Sequence, residues 1–295
     1  MGGNNLKKIL LVSILALTLV IPVANAIDIS TENKIERPVS TMQEFTHTVF
    51  VEYGSMTTCP PCVIASAQLY SIYNAGDLDF YYTTLVWDVG NLNVRGRLSA
   101  LGVVSVPDVF FDGGYKRIGG SQGSELPYRD AITESGERDV QDIDISLDVT
   151  WLGGGKLKLD IIVVNNEVEE FNGRIRTYIV EKESRWNDYG GNPYHYAALD
   201  IPIDKSLAVV NTRAKPLGGT YTISKTWRGN LLGFGDITQD NTIVVVAIFD
   251  PDNDYVVQTA AAEPVSQIGN YDQINLMIIK LLERFPLLER ILNLR

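Results

Sequence analysis

The only two cysteines in this 295-residue chain stand three positions apart, in Cys59-Pro60-Pro61-Cys62. A bridge that short closes a tiny loop and takes little freedom from the unfolded chain, so sulfur cannot staple this fold and buried apolar surface has to hold it. Hydrophobic residues make up 45% of the sequence, ample material for folded cores. Cysteines placed after a strand-like stretch (His47 to Glu52, HTVFVE) and at the opening of a helix can cycle between dithiol and disulfide. A helix starting near Cys59 sets the first sulfur where unpaired N–H groups and the helix dipole favour a thiolate. The second sulfur lies about one turn further in, close enough to attack a mixed disulfide on the first. Pro60 and Pro61 fix φ and remove two donors that a first helical turn does not use. Two other readings stand beside the redox one. A structural zinc site needs about four ligands, and besides this pair the chain offers only His47 and His195. An inert disulfide is the other.

The first 26 residues have the three parts of a secretory signal: Lys7 and Lys8, an apolar run from Ile9 to Val23, and Ala24-Asn25-Ala26 as a cleavage site. An uncleaved N-terminal anchor is the alternative. Export matters chemically, because protein disulfides form and persist in oxidising compartments. Cleavage after Ala26 leaves 36 acids against 23 bases, a charge of the wrong sign for a nucleic-acid binder. The remaining stretch of about 270 residues fits two domains of ordinary size.

Residues 27–44 read as a polar lead-in. After the first strand and the Gly54 to Thr58 turn, a helix is expected from about Cys59 to Tyr73, with a buried strand at Asp79 to Trp87 and a short helix around Asn93 to Leu101. The run Val104 to Gly114 is a strand entered through Pro107 and left through a turn; a strand near Tyr115 to Ile118 and a helix from Ser124 to Ser135 follow.

This β-α-β then β-β-α order, with CxxC after the first strand and Val106-Pro107 ahead of a strand ending Phe111-Asp112-Gly113, resembles the thioredoxin superfamily over residues 45–136. The resemblance implies Cys59 as attacking nucleophile and Cys62 as resolving thiol, with no metal or organic cofactor. It implies a cis Pro107 facing the disulfide, and a Val106 backbone that pairs with a bound peptide; an ordinary edge-strand proline is the other reading of Pro107. Glu52 falls roughly where the family keeps a buried carboxylate that takes the second thiol's proton, or else it is a solvent-facing strand residue. Two departures bear on redox potential: Thr58 stands where thioredoxins commonly carry tryptophan, and Pro-Pro replaces their Gly-Pro.

From Asp142 the texture changes to period-2 alternation. Two such runs joined by Gly153-Gly154-Gly155 form a hairpin, and further strands are expected at Ile175 to Val180, Gly219 to Thr226, Ile243 to Phe249 and Tyr255 to Gln258. Residues 142–262 thus read as an antiparallel β-sandwich, and a thioredoxin-like domain followed by one is similar to a group of secreted thioredoxin-like proteins. Asp250, Asp252 and Asp254 have calcium-ligand spacing but lack the rest of an EF-hand, so a plain turn is preferred. Trp186 to Tyr196 (WNDYGGNPYHY) reads as a long aromatic loop holding His195. A linker at 264–273 leads to an amphipathic helical tail, Ile274 to Leu294, too interrupted by charge to span a membrane but suited to a membrane surface or a partner helix.

The sequence therefore predicts an α/β thioredoxin-like domain, then a β-sandwich and a helical tail. It predicts an exported thiol:disulfide oxidoreductase acting on protein or peptide substrates without a cofactor. The alternative is a non-catalytic binding or adhesion protein in which the same fold is a scaffold and the sandwich holds a partner.

Overall fold

The computed structural model describes residues 45–210 and 219–266, all of them in one compact unit. The stretches read from the sequence as a signal, a lead-in and a helical tail lie outside the described residues. What is described is mostly β, in two mixed sheets with three α-helices.

The first strand, β1 (Val49–Ser55), is buried at every position, and it is followed by helix α1 (Cys62–Ala75), β2 (Phe80–Val86), helix α2 (Leu92–Ala100), β3 (Asp108–Phe111), β4 (Lys116–Gly119) and helix α3 (Leu126–Gly136). Parallel pairing of β1 with β2, and antiparallel pairing of β1 with β3 and β3 with β4, order these strands as β2-β1-β3-β4. Helix α1 ends where Gly76 takes a left-handed φ of 68°, a conformation that costs glycine nothing. Helix α2 begins with the Asn91 carboxamide accepting from the Asn93 and Val94 N–H groups at 3.0 Å.

The hairpin expected around Gly153 to Gly155 is present as β5 (Ile143–Gly153) and β6 (Lys156–Asn165). Leu157, Leu159, Ile161 and Val163 face a core while Lys158, Asp160 and Ile162 face outward. The next strands are β7 (Phe171–Asn187), β8 (Pro193–Val209), β9 (Gly219–Arg228), β10 (Thr242–Phe249), β11 (Val256–Ala262) and β12 (Val265–Ser266).

The strands after residue 142 do not form two sheets of their own. Four of them extend the first sheet, giving the order β11-β10-β7-β8-β2-β1-β3-β4, and only β12-β5-β6-β9 make a second sheet. At the seam β8 runs parallel to β2 through Thr84 and Ala197, and the Thr83 and Thr84 hydroxyls donate to the Tyr196 and His195 carbonyls at 3.1 and 2.8 Å. Strand β10 shows why the sheet is shared. Its Ile243, Val245, Ala247 and Phe249 enter the core that holds β1 and α1, while Val244, Val246 and Ile248 enter the core against β5, β6 and β9. A strand buried on both faces is a continuous apolar run, and TIVVVAIF is one.

Three sequence expectations are corrected. Trp186 to Tyr196 is not a long loop: residues 186–187 end β7, 193–196 begin β8, and only 188–192 turn. Strand β8 is not among the strands the sequence predicts, and Pro202 sits inside it. The ladder absorbs that proline at a bulge, where Thr177 pairs Ile203 but Ile179 pairs Asp200. The segment read as a linker starts inside the fold, since Val265 and Ser266 pair with Thr150 and Trp151 of β5.

Candidate functional site

Strand β1 delivers the chain to the cysteines. Gly54 lets α2 approach closely, because a Cβ there would stand 3.1 Å from Leu98 Cδ2. The turn that follows is held from outside by Asp88, whose carboxylate accepts the Thr57 N–H at 3.1 Å and also the Thr57 hydroxyl. The Cys59 N–H then donates to the Met56 carbonyl at 3.1 Å, and the Cys62 N–H to the Cys59 carbonyl at 3.2 Å. Cys59 and Cys62 form a disulfide across a Cα–Cα distance of 5.3 Å. Helix α1 starts at Cys62 with Pro61 as its N-cap, so Cys59 lies in the turn ahead of the helix and not in its first turn as the sequence reading had it. The two sulfur-bearing residues differ in access: Cys59 is 6% exposed and Cys62 is 0% exposed.

The loop before β3 brings Val106 and Pro107 to the disulfide. Cys59 Sγ lies 3.6 Å from the Val106 carbonyl oxygen, and the Val106–Pro107 peptide is cis. The loop is anchored at both ends, by the Val103 N–H on the Leu98 carbonyl at 3.1 Å and by the Gly120 N–H on the Pro107 carbonyl at 2.8 Å.

Glu52 is buried, yet it is not beneath the second sulfur. Successive strand residues face opposite sides of a sheet, and its neighbour Tyr53 is the one that points at α1, donating its hydroxyl to the Cys62 carbonyl at 2.7 Å. Glu52 instead faces α2, where the Arg97 guanidinium clamps it through Nε at 2.8 Å and Nη2 at 2.6 Å, and the Tyr178 hydroxyl donates to it at 2.7 Å. Burial pulls the Arg97 guanidinium down, but the charge and hydrogen bonds of Glu52, with Tyr178 and Asp254, together more than offset that and leave it well above its ordinary value. Arg97 also reaches Asp254 at 3.2 Å, and Asp254 reaches Arg176 at 3.0 Å. The three aspartates with calcium spacing are therefore a hairpin turn, in which Asp254 binds arginines and Asp250 accepts the Asp252 N–H at 2.9 Å.

Under the disulfide there is a chain of hydroxyls that the sequence reading missed. Ser55 Oγ lies 3.1 Å from the Tyr53 hydroxyl and 2.9 Å from the Tyr194 hydroxyl, which also donates to the Met56 carbonyl at 2.9 Å. Met56 thus takes both the Cys59 N–H and the Tyr194 O–H. Burial pushes Tyr53 well above the usual phenol range and Tyr194 up to about 12, so these groups stay neutral donors at ordinary pH and cannot act as bases. Tyr194 belongs to β8, in the segment read as a loop; its aromatic character was visible, its place beside Cys59 was not. His195 next to it stacks on Tyr70 of α1, ring centroids 3.5 Å apart, and burial lowers its affinity for a proton. No three His, Cys, Asp or Glu side chains among the described residues are grouped to hold a metal.

No family model matches the sequence, and no curated protein does. Among solved structures, HBP35 of Porphyromonas gingivalis superimposes with a TM-score of 0.58 at 16% identity, over 75% of this chain and 78% of that one. A protein of Agrobacterium tumefaciens gives 0.43 at 14% identity over 76% of this chain and 96% of its own. A domain of the outer membrane lipoprotein Omp28 from Porphyromonas gingivalis gives 0.24 at 14% identity over 44% and 95%. Of these three, the first is long and close enough to bear on architecture: this chain shares a fold with HBP35 of Porphyromonas gingivalis.

Proposed function

We propose that the chain is an exported thiol:disulfide oxidoreductase, a thioredoxin-like α/β unit carrying a β-sandwich built onto its sheet. The observation that carries this reading is the asymmetry of the cysteine pair: Cys59 keeps a sliver of surface with its sulfur 3.6 Å from the Val106 carbonyl, while Cys62 is sealed beneath it. A substrate thiolate meets Cys59 first. Its attack forms a mixed disulfide and expels the Cys62 thiolate, and a second substrate thiol then displaces Cys59 to leave the substrate as a disulfide. The reverse sequence, starting from the dithiol, reduces a substrate disulfide by the same two electrons. Export is supported by the three-part segment at residues 1–26. Among the described residues no helix is long and apolar enough to cross a membrane; the amphipathic pattern of Ile274 to Leu294 is what supports contact with a membrane surface or a partner helix.

Equilibration with reduced and oxidised glutathione under native conditions tests the reading. The expected result is a reversible change of two thiols per chain. Cys62→Ser should accumulate a mixed disulfide at Cys59, and Cys59→Ser should accumulate none. A thiol count that neither reductant nor oxidant alters would leave a scaffold with an inert bridge, the binding-protein alternative.

A further inference from the structure

The turn between β7 and β8 is stiff. The Asp188 N–H donates to the Asn192 carbonyl at 2.8 Å, the Gly191 N–H to the Asp188 carbonyl at 3.0 Å, and the Asn192 N–H to the Asp188 carboxylate at 3.0 Å. Gly191 supplies the left-handed φ of 83° that closes it. This turn lies against the helix that carries Cys62: a Cβ built on Gly190 would be 3.5 Å from Val63 Cγ1, ordinary van der Waals contact. Tyr194, two residues past the turn, holds the Met56 carbonyl from the same side. Between Asp188 and Gly190 stands Tyr189, an aromatic side chain left 62% exposed. Ile64, one residue beyond Val63 on α1, is 48% exposed.

Scattered exposed apolar side chains carry no message. Tyr189 differs in two respects. It is mounted on a closed, hydrogen-bonded turn that touches the residue following a cysteine of the disulfide, so covering it orders little that is not ordered already. Tyrosine also has only two side-chain torsions to lose on contact, which makes it an efficient recognition residue.

We propose that Tyr189, together with Ile64, forms an apolar subsite beside the disulfide, and that the substrate class it selects is a polypeptide cysteine flanked in its own chain by an aromatic or aliphatic side chain. The proposal rests on the thiol–disulfide reading above and names the substrate for it. The element that reads the substrate then comes from the strands after residue 142, while the element that reacts with it comes from those before. In the reducing direction the balance is simple. Cys59 thiolate breaks the substrate S–S bond, one substrate sulfur leaves as thiolate and takes a proton from water, and the other is held on Cys59. Cys62 thiolate then releases it, so two electrons pass from the cysteine pair to the substrate.

A single turnover by the reduced full chain needs no further reductant and tests this directly. The substrates are two peptide disulfides of equal length, one with Leu and Phe beside its cysteine and one with Ser and Glu, and the rate constants are each normalised to that for hydroxyethyl disulfide so that effects on the cysteines themselves cancel. The wild-type chain should prefer the apolar peptide by about tenfold, the size of one good aromatic contact. Tyr189→Ala should bring that ratio close to one, and Tyr189→Phe should retain it. A Tyr189→Ala chain that keeps the wild-type ratio overturns the subsite while leaving the redox reading standing. A wild-type chain that reacts with none of the three, hydroxyethyl disulfide included, overturns the redox reading and the subsite with it.

Discussion

Replacing Glu52 by Gln separates two roles that a buried carboxylate near a disulfide can have. If Glu52 took the proton of Cys62, the substitution would slow thiol exchange and reshape its pH profile while costing little stability. The geometry predicts the opposite. Glu52 is fully buried, receives two hydrogen bonds from Arg97 at 2.8 and 2.6 Å, and faces away from Cys62. Removing one member of such a pair strands the other charge in a medium that solvates it poorly, at a cost of about 3–5 kcal/mol. Here the lower end applies, because Gln keeps the shape and one acceptor oxygen, and Arg97 retains Asp254 at 3.2 Å and the face of Phe249 at 5.2 Å from its guanidinium carbon. About 3 kcal/mol corresponds to roughly 6–12 °C in melting temperature for a folded unit of this size. The assay pairs thermal unfolding followed by circular dichroism with exchange rates on hydroxyethyl disulfide between pH 5 and 9, per folded molecule. The expected result is a melting point lowered within that window and an unchanged pH profile. Glu52→Leu combined with Arg97→Met should recover most of the loss, since an apolar pair of similar volume leaves no charge unpaired. A Glu52→Gln chain that melts within about 2 °C of wild type but shows a displaced pH profile would refute the structural role and return Glu52 to the chemistry.

Three more outcomes follow from particular contacts. Gly113→Ala should cost about 3 kcal/mol, because φ is +69° and the new Cβ would meet the Asp254 carbonyl at 2.2 Å, whereas Gly120→Ala, at φ +76° with nothing within 4 Å, should cost about 1 kcal/mol; urea midpoints decide, and equal losses would refute the clash. Burial holds His195 below its ordinary pKa, so the unfolded chain binds that proton first: the contribution is fully present above the unfolded value near pH 6.5 and is lost as pH falls through the folded one, and His195→Asn should therefore shrink the drop in melting temperature between about pH 7 and pH 5. A chain ending near Gly269 should keep its melting temperature and its thiol chemistry and lose membrane-surface or partner association, because Ser266 and Pro264 already close on Gln239 through hydrogen bonds of 2.6 and 2.9 Å; aggregation of that shortened chain would place the tail in the core.

Local order was readable where it has a local cause. The Gly153 to Gly155 turn and the strict alternation on either side of it specify β5 and β6 almost to the residue, and the apolar helix after Cys59 needs only its own periodicity. Sheet membership is a different kind of fact. The unbroken run of β10 says that both its faces are buried, which does not fit a sandwich strand with one face in water, and that signal stood in the sequence unread. Strand β8 is absent from the strands the sequence predicts, and it carries Pro202 inside it at a bulge that a regular ladder would not allow. Glu52 was misplaced by one residue of alternation, and in a strand one residue is the whole difference between two faces.

The site was legible only as far as its chemistry is sequential. Cys59 and Cys62 announce themselves by spacing, and Val106-Pro107 by its place ahead of a hydrophobic strand. The hydroxyl chain that supports the disulfide joins Ser55 to Tyr194 across 139 positions, and no periodicity or motif connects the two. They meet because β8 enters the sheet beside β2, with β7 paired along its other edge and β10 paired beyond β7. The dependence runs in one direction with a physical consequence: the carbonyl that accepts the Cys59 N–H is held by a tyrosine from the far side of the seam. The Met56 carbonyl is thus the point where β8 meets the turn that carries Cys59, and on the proposed thiol–disulfide reading it joins the strands after residue 142 to the cysteine pair.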